Sequence, residues 1–200
     1  EGATRRPAGS VLTPARLSLA ASANRPTVSA TRRPRIALLA TGDELVEPGG
    51  ALGPDQIASA NSVGLAALFG GLAEIIDFGI VGDELRGLEQ RLVQAFDSGI
   101  DMLVTTGGAS VGDRDYIQQA LGALGVEMDF WQLAMRPGKP LMFGRRDETL
   151  VFGLPGNPVS ALATGTVIVL PALRQLSGQS DPLGLRLSLP LAAALPANGV

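Results

Sequence analysis

Two periodicities alternate along the chain. Runs of nearly continuous apolar residues at 35–41 (RIALLAT), 73–80 (AEIIDFGI) and 101–106 (DMLVTT) are separated by stretches in which apolar residues recur every three or four positions. Unbroken apolar runs are what strands show when both faces are buried. Between them, 84–97 sets Leu85, Leu88, Leu92 and Phe96 on one stripe, the 3.6-residue period of an amphipathic helix. A further helix is predicted over about 58–70. Strand, helix and strand in repeated order predict a parallel sheet with helices on both faces. After Gly107 the pattern continues with a helix at about 115–123, strands near 126–131, 140–144 and 149–153, and a long helix over 158–176. The expected class is therefore α/β, a three-layer α/β/α sandwich on a mostly parallel sheet.

Both ends break this pattern. Residues 1–33 are rich in Pro, Ala, Ser and basic side chains, with one periodic piece at 13–23. There Thr13 is placed to cap a helix, Pro14 stands at its first position, and Leu12 can staple onto Leu17. We expect 1–33 to be the end of a preceding domain and a linker, 34–176 to be the α/β domain, and 177–200 to begin a β domain whose remainder is absent. Leu183–Leu191 alternates Leu with Gly, Arg and Ser, the pattern of one strand of that domain. Starting at Glu1 with no charged-then-apolar leader, the sequence is expected to be a piece of a longer protein.

Composition narrows the chemistry. The 200 residues are 46% apolar and 18% charged, with a formal net charge of −3, enough to build a core and without the basic excess of a duplex-binding protein. No nucleic-acid partner is expected. There is no Cys and no His, which removes thiolate nucleophiles, Ser-His-Asp triads and zinc sites built on those ligands. A metal would have to be held by oxygen, and magnesium is the natural choice. The longest nearly uncharged apolar stretch, Val159–Leu173, is about fifteen residues, short for a bilayer, so a core helix is expected and no membrane partner.

Four stretches could carry chemistry, because ligands of such sheets collect beyond the carboxyl ends of the strands. Thr41-Gly42-Asp43-Glu44-Leu45 puts two carboxylates directly after the first strand; Asp43 could cap a turn, and Glu44 could ligate a metal. Thr105–Tyr116 (TTGGASVGDRDY) is a glycine-rich passage from strand to helix, suited to presenting backbone N–H groups to an oxyanion. It lacks both the dinucleotide fingerprint and the P-loop lysine. Asp113 and Asp115 within it could cap the next helix or face a ligand. Met135–Pro140 (MRPGKP) holds Arg136 and Lys139 on a frame of two prolines, an arrangement that suits an anion. Gly153–Ala161 (GLPGNPVSA) opens a helix with Asn157 as its cap, Pro158 at the first position and Ser160 in the first turn, a second anion-binding helix start.

TGDEL, TTGGASVGDRDY, MRPGKP and GLPGNPVSA, in this order and spacing, resemble the MoeA/gephyrin E-domain family of molybdopterin molybdenumtransferases. The resemblance covers about residues 34–176, the molybdopterin-binding domain that shares its fold with MogA-type adenylyltransferases, and it implies that 1–33 end a preceding domain and that 177–200 are the truncated start of a C-terminal β-barrel domain. It implies insertion of molybdenum from molybdate into adenylylated molybdopterin, with Mg²⁺ assisting and AMP released. Glu44, Asp83 and Asp115 match the family's acidic positions, with Glu44 and Asp115 at the metal; Asp83 also stands where it could cap helix 84–97. Gly107, Gly108, Ser110, Arg136, Lys139, Pro155, Gly156, Asn157 and Ser160 match positions lining the pterin-phosphate and oxyanion pocket. Two positions depart from some members: Gln132 replaces a Lys, and Arg136 replaces a Lys while keeping its charge.

The resemblance further implies a cytoplasmic homodimer served by a MogA-type adenylyltransferase upstream. Two alternatives stand beside it. One is a MogA-like molybdopterin adenylyltransferase, against which the PGKP and GLPGNPVSA segments argue; the other is a non-catalytic binding or scaffolding module.

Overall fold

The structure, a computed structural model, describes residues 8–107, 116–184 and 190. Its central sheet has six strands in the order β4-β1-β5-β8-β7-β6. These are β1 (Arg35–Thr41), β4 (Glu74–Val81), β5 (Met102–Thr106), β6 (Glu127–Phe130), β7 (Met142–Arg146) and β8 (Thr149–Leu154). The first four in spatial order run parallel, and β7 and β6 complete the sheet as an antiparallel pair. β1 is buried from Ile36 to Thr41, and β5 is buried along its whole length. That is the burial the sequence pattern requires of a strand covered on both faces.

Alternate residues of each strand feed two separate cores. Ala37, Leu39 and Leu103 face α3 (Leu85–Asp97) and α4 (Tyr116–Ala123), meeting Leu88, Leu92, Ile117 and Leu121. Ile36, Leu38, Met102 and Val104 point the other way into a core with Leu65 and Phe69 of α2 (Ala60–Phe69) and with Val169 and Leu173. The three-layer α/β/α sandwich with a mostly parallel sheet is therefore the observed architecture.

Three details differ from expectation. Two very short strands, β2 (Leu45–Val46) and β3 (Ile57–Ala58), pair in parallel outside the main sheet and tie the segment after β1 to the start of α2. Helix 158–176 is not uniformly α: α5 (Pro158–Thr164) passes into a π-helical turn at Gly165–Val169 and then α6 (Leu170–Leu176). The wider turn coincides with Gly165, whose Cα faces Leu65 and Phe69 so closely that an added Cβ would lie 2.9 Å from the Leu65 side chain. This helical run, Pro158–Leu176, is also longer than the apolar stretch suggests and by length and composition could span a bilayer. Here Ala161, Thr164, Gly165, Val169 and Leu173 are buried in the domain. Finally, Asp83 does not cap α3: the cap position is Glu84, which makes no side-chain capping bond.

The flanks are held more lightly. Helix α1 (Pro14–Ser22) has Thr13 Oγ1 accepting from Arg16 N, as its sequence predicts, but none of its residues is buried. Gly9 O accepts from the N–H of Ser180, so the two flanking segments touch. Arg32 grips Asp101 with both guanidinium nitrogens at 2.5 and 2.7 Å, while the N–H of Arg35 donates to the same carboxylate at 2.8 Å. The strand pattern expected at Leu183–Leu191 falls largely outside the described residues.

Candidate functional site

Every motif singled out from the sequence leaves the sheet at the same end. The loops after β1, β4, β5 and β8 follow the carboxyl ends of parallel strands. Met142 of β7 pairs with Gly153 of β8, so the 131–141 segment that precedes β7 also lies at that end. With strands about 4.8 Å apart, the ends of β1 and β8, on either side of β5, are roughly 10 Å from each other. One rim thus collects all the candidate loops.

The acidic side lies over β4 and β1. A turn closes from Leu45 N–H to Gly42 O, and Gly42 N–H donates to Val81 O, joining this turn to the end of β4. Asp43 Oδ1 accepts from the backbone N–H of Asp83 at 2.9 Å. Asp43 therefore braces the neighbouring loop rather than capping a turn of its own. Partial desolvation by the surrounding turn first, and then the negative charges of Asp43 and Glu44, push the Asp83 carboxyl above its ordinary range. Asp43, Glu44 and Asp83 are all solvent-exposed, the posture of groups that can meet a ligand. Among the described residues, no group of three or more carboxylates converges as a ready metal cage.

The middle of the rim is glycine. Gly107 follows β5 with φ +88°, and a Cβ there would sit 2.1 Å from Thr41 O. Both the backbone angle and the approach to β1 exclude any other residue. Gly156 lies against it, an added Cβ being 3.6 Å from Gly107 Cα. Gly108, Ser110, Asp113 and Asp115 lie outside the described residues.

The basic side lies over β8 and β7. Asn157 caps α5, its Oδ1 accepting from Ser160 N–H at 3.1 Å, with Pro158 in the first turn, as the sequence predicts. Pro155 is buried, while Gly156 and Asn157 are exposed. The Met135–Pro140 loop packs beside this helix. Gly138 is buried with φ +114°, and a Cβ there would meet the Thr164 methyl at 2.5 Å. Thr164 Oγ1 in turn donates to Ser160 O. Arg136 and Lys139, on either side of the buried Gly138, are exposed, and among the described residues neither has an ion-pair partner. Gln132 is also exposed in this segment.

One residue of this rim escapes sequence reasoning. Asn61, in the first turn of α2, donates from Nδ2 to Gly156 O at 2.8 Å across 95 positions. An Asn in the largely apolar helix ANSVGLAALF is the one signal it leaves.

Residues 37–175 match the family model described as "Probable molybdopterin binding domain". The chain belongs to this molybdopterin-binding domain family. It is 40% identical over 174 residues to the molybdopterin molybdenumtransferase of Haemophilus influenzae, covering 86% of this chain and 43% of that protein. To the protein of the same name from Nostoc sp. it is 40% identical over 176 residues, covering 86% and 40%. The chain thus spans less than half the length of these curated relatives. Among solved structures, the molybdopterin biosynthesis MoeA protein of Pyrococcus horikoshii superposes with a TM-score of 0.76 at 31% identity, covering 86% of this chain and 42% of that one. MoaB from Thermus thermophilus, at 22% identity and a TM-score of 0.53, is covered over 99% of its length by 74% of this chain. The molybdopterin-binding domain described here has the fold these proteins share.

Proposed function

We propose that this chain is the molybdopterin-binding domain of a molybdopterin molybdenumtransferase, a protein of molybdenum cofactor biosynthesis. Its reaction is the insertion of molybdenum from molybdate into adenylylated molybdopterin with release of AMP. The observation that carries the reading is the single rim: an acidic side at Asp43, Glu44 and Asp83, a glycine floor at Gly107 and Gly156, and a basic side at Arg136 and Lys139. A ligand that carries a phosphate and coordinates an oxyanion needs all three. The curated relatives, by their names, act as molybdopterin molybdenumtransferases.

The carboxylates fit a hard divalent cation. Their donors are oxygens, and a cation would relieve the repulsion that, after desolvation, helps to raise the Asp83 carboxyl. Glu44, with Asp115, would hold Mg²⁺, and Asp83 would stand beside it. Bound there, magnesium supplies charge neutralisation at the phosphate. On the other side Lys139 and Arg136 bind the anion, Arg136 with two parallel N–H donors where geometry allows. Ser160 sits in the first turn of α5, where Asn157 and Pro158 fix the helix start. By the resemblance, Ser110 and Gly108 are assigned to the same ligand.

The proposal extends to a cytoplasmic homodimer, to an upstream adenylyltransferase of MogA type, and to flanks 1–33 and 177–200 that belong to neighbouring domains. The test is to incubate the full-length protein with adenylylated molybdopterin, molybdate and Mg²⁺ and to follow AMP. Molybdate-dependent AMP release supports the transferase. Consumption of ATP with molybdopterin would identify an adenylyltransferase, and no turnover of either kind would leave a binding module.

A further inference from the structure

The amide of Asn61 is half used. Nδ2 donates to Gly156 O at 2.8 Å, while Oδ1 is buried with no hydrogen-bond partner. The assignment of the two ends is fixed by chemistry, because a backbone carbonyl accepts and never donates, so the nitrogen must face Gly156. A buried amide oxygen without a donor is costly, and native proteins retain few of them. Its location supplies the reason to keep it. Asn61 adjoins Gly156, which adjoins Gly107, so the half-used amide stands beside the glycines that floor the rim.

We propose that Asn61 is a substrate-binding residue of this site, its Nδ2 fixing the Gly156 carbonyl and its Oδ1 accepting a hydrogen bond from an N–H or O–H of the bound ligand. The inference rests on the molybdopterin reading and adds to it a residue that none of the four motifs contains. Two parts of adenylylated molybdopterin carry such donors: the pterin, through its ring and amino N–H groups, and the adenylate, through its ribose hydroxyls and adenine amine. The shared chemistry is a neutral donor, distinct from the anionic groups assigned to Lys139 and Arg136. Fixing the Gly156 carbonyl also orients the Gly156–Asn157 peptide, since its N–H must point opposite to that carbonyl across a planar bond.

The test uses the full-length protein, calorimetry, and molybdopterin and AMP as separate probes. Asn61→Ala should weaken the probe that carries the donor by about five- to a hundredfold, and leave the other within about twofold. Because Asn61→Ala also frees Gly156, a second readout separates contact from support. With ¹³C-labelled asparagine, the Asn61 Cγ resonance, identified by its loss in Asn61→Ala, should move when the wild type is saturated with the same probe. A wild type that binds the probe weakened by Asn61→Ala with its Cγ resonance unmoved, or an Asn61→Ala variant that binds both probes as the wild type does, overturns the proposal while leaving the molybdopterin reading intact. A wild type that binds neither probe overturns both.

Discussion

The two sides of the rim are built by opposite means. On the acidic side, side chains are loosely supported: Asp43 bonds one backbone N–H, the exposed Glu44 carboxyl folds back over Gly42, and Asp83 is exposed on a short turn. On the basic side, the backbone is locked first. Gly138 is wedged against Thr164, Thr164 is bonded to Ser160 O, and Asn157 caps the helix that carries them. A soft set of carboxylates can close around a cation when it arrives. A pre-shaped turn leaves its cations without an ion pair among the described residues, so that they remain available for an anion.

This contrast places the largest effect of any single change on the acidic side. Glu44→Ala should leave the melting temperature within a degree or two, because an exposed carboxylate packs nothing, yet lower Mg²⁺-dependent AMP release by a hundredfold or more, the loss of several kcal/mol expected when a metal ligand is removed. Steady-state assays against Mg²⁺ concentration check it; unchanged turnover would remove Glu44 from the site.

Next in size is Lys139→Ala, which should weaken anion binding by roughly 1.5–3 kcal/mol, the range for a hydrogen bond to a charged group, about ten- to a hundredfold. Folding should hardly respond, since Gly138 and the flanking prolines set the turn. Calorimetry with the phosphate-bearing ligand, beside a melt, measures both. A much lower melting temperature would make Lys139 a structural residue.

Smaller still is Asn157→Ala, expected to cost about 1 kcal/mol of stability through the lost bond to Ser160 N–H. Chemical denaturation reads it directly. Because the cap sets where α5 begins, this stability loss should be accompanied by weaker anion binding, whereas no substitution on the acidic side should couple the two.

The smallest effect is a pH dependence. The folded state holds the Asp83 proton to higher pH than the unfolded chain, whose ordinary value is 3.8. Ionised Asp83 therefore opposes folding: its unfavourable contribution is absent below pH 3.8 and grows as pH rises through the raised value. Without Mg²⁺, Asp83→Asn should be slightly more stable than the wild type at neutral pH, and the difference should vanish toward pH 3.8. Melting curves across pH detect it, and the reverse sign would mean that Asp83 is stabilised by a partner cation.

How much of this was legible in the sequence differs from element to element. β1, β5 and α3 were readable because burial on both faces, or along one stripe, imposes a period that residues 35–41, 101–106 and 84–97 obey. The Asn157 cap was equally plain, since capping is a local bond between residues three apart. The paired β2 and β3 were not, because two-residue strands exist only by virtue of each other. Asp83 as the cap of α3 was a local inference defeated by a distant one: its N–H goes to Asp43, forty residues away. The π-helical turn reflects packing of Gly165 on α2, and Asn61 acquires meaning only from Gly156, so neither has a signature within its own window.

The central claim is that one ligand engages both sides of the rim, the metal side through carboxylates and the anion side through cations. Its most direct test is the Mg²⁺ dependence of adenylylated molybdopterin affinity, measured by calorimetry on the full-length wild type, Glu44→Ala and Lys139→Ala. The account predicts that Mg²⁺ tightens binding in the wild type and, from a weaker baseline, by the same factor in Lys139→Ala, but has no effect in Glu44→Ala. Equal Mg²⁺ dependence in all three proteins, or full affinity in Lys139→Ala, would contradict it.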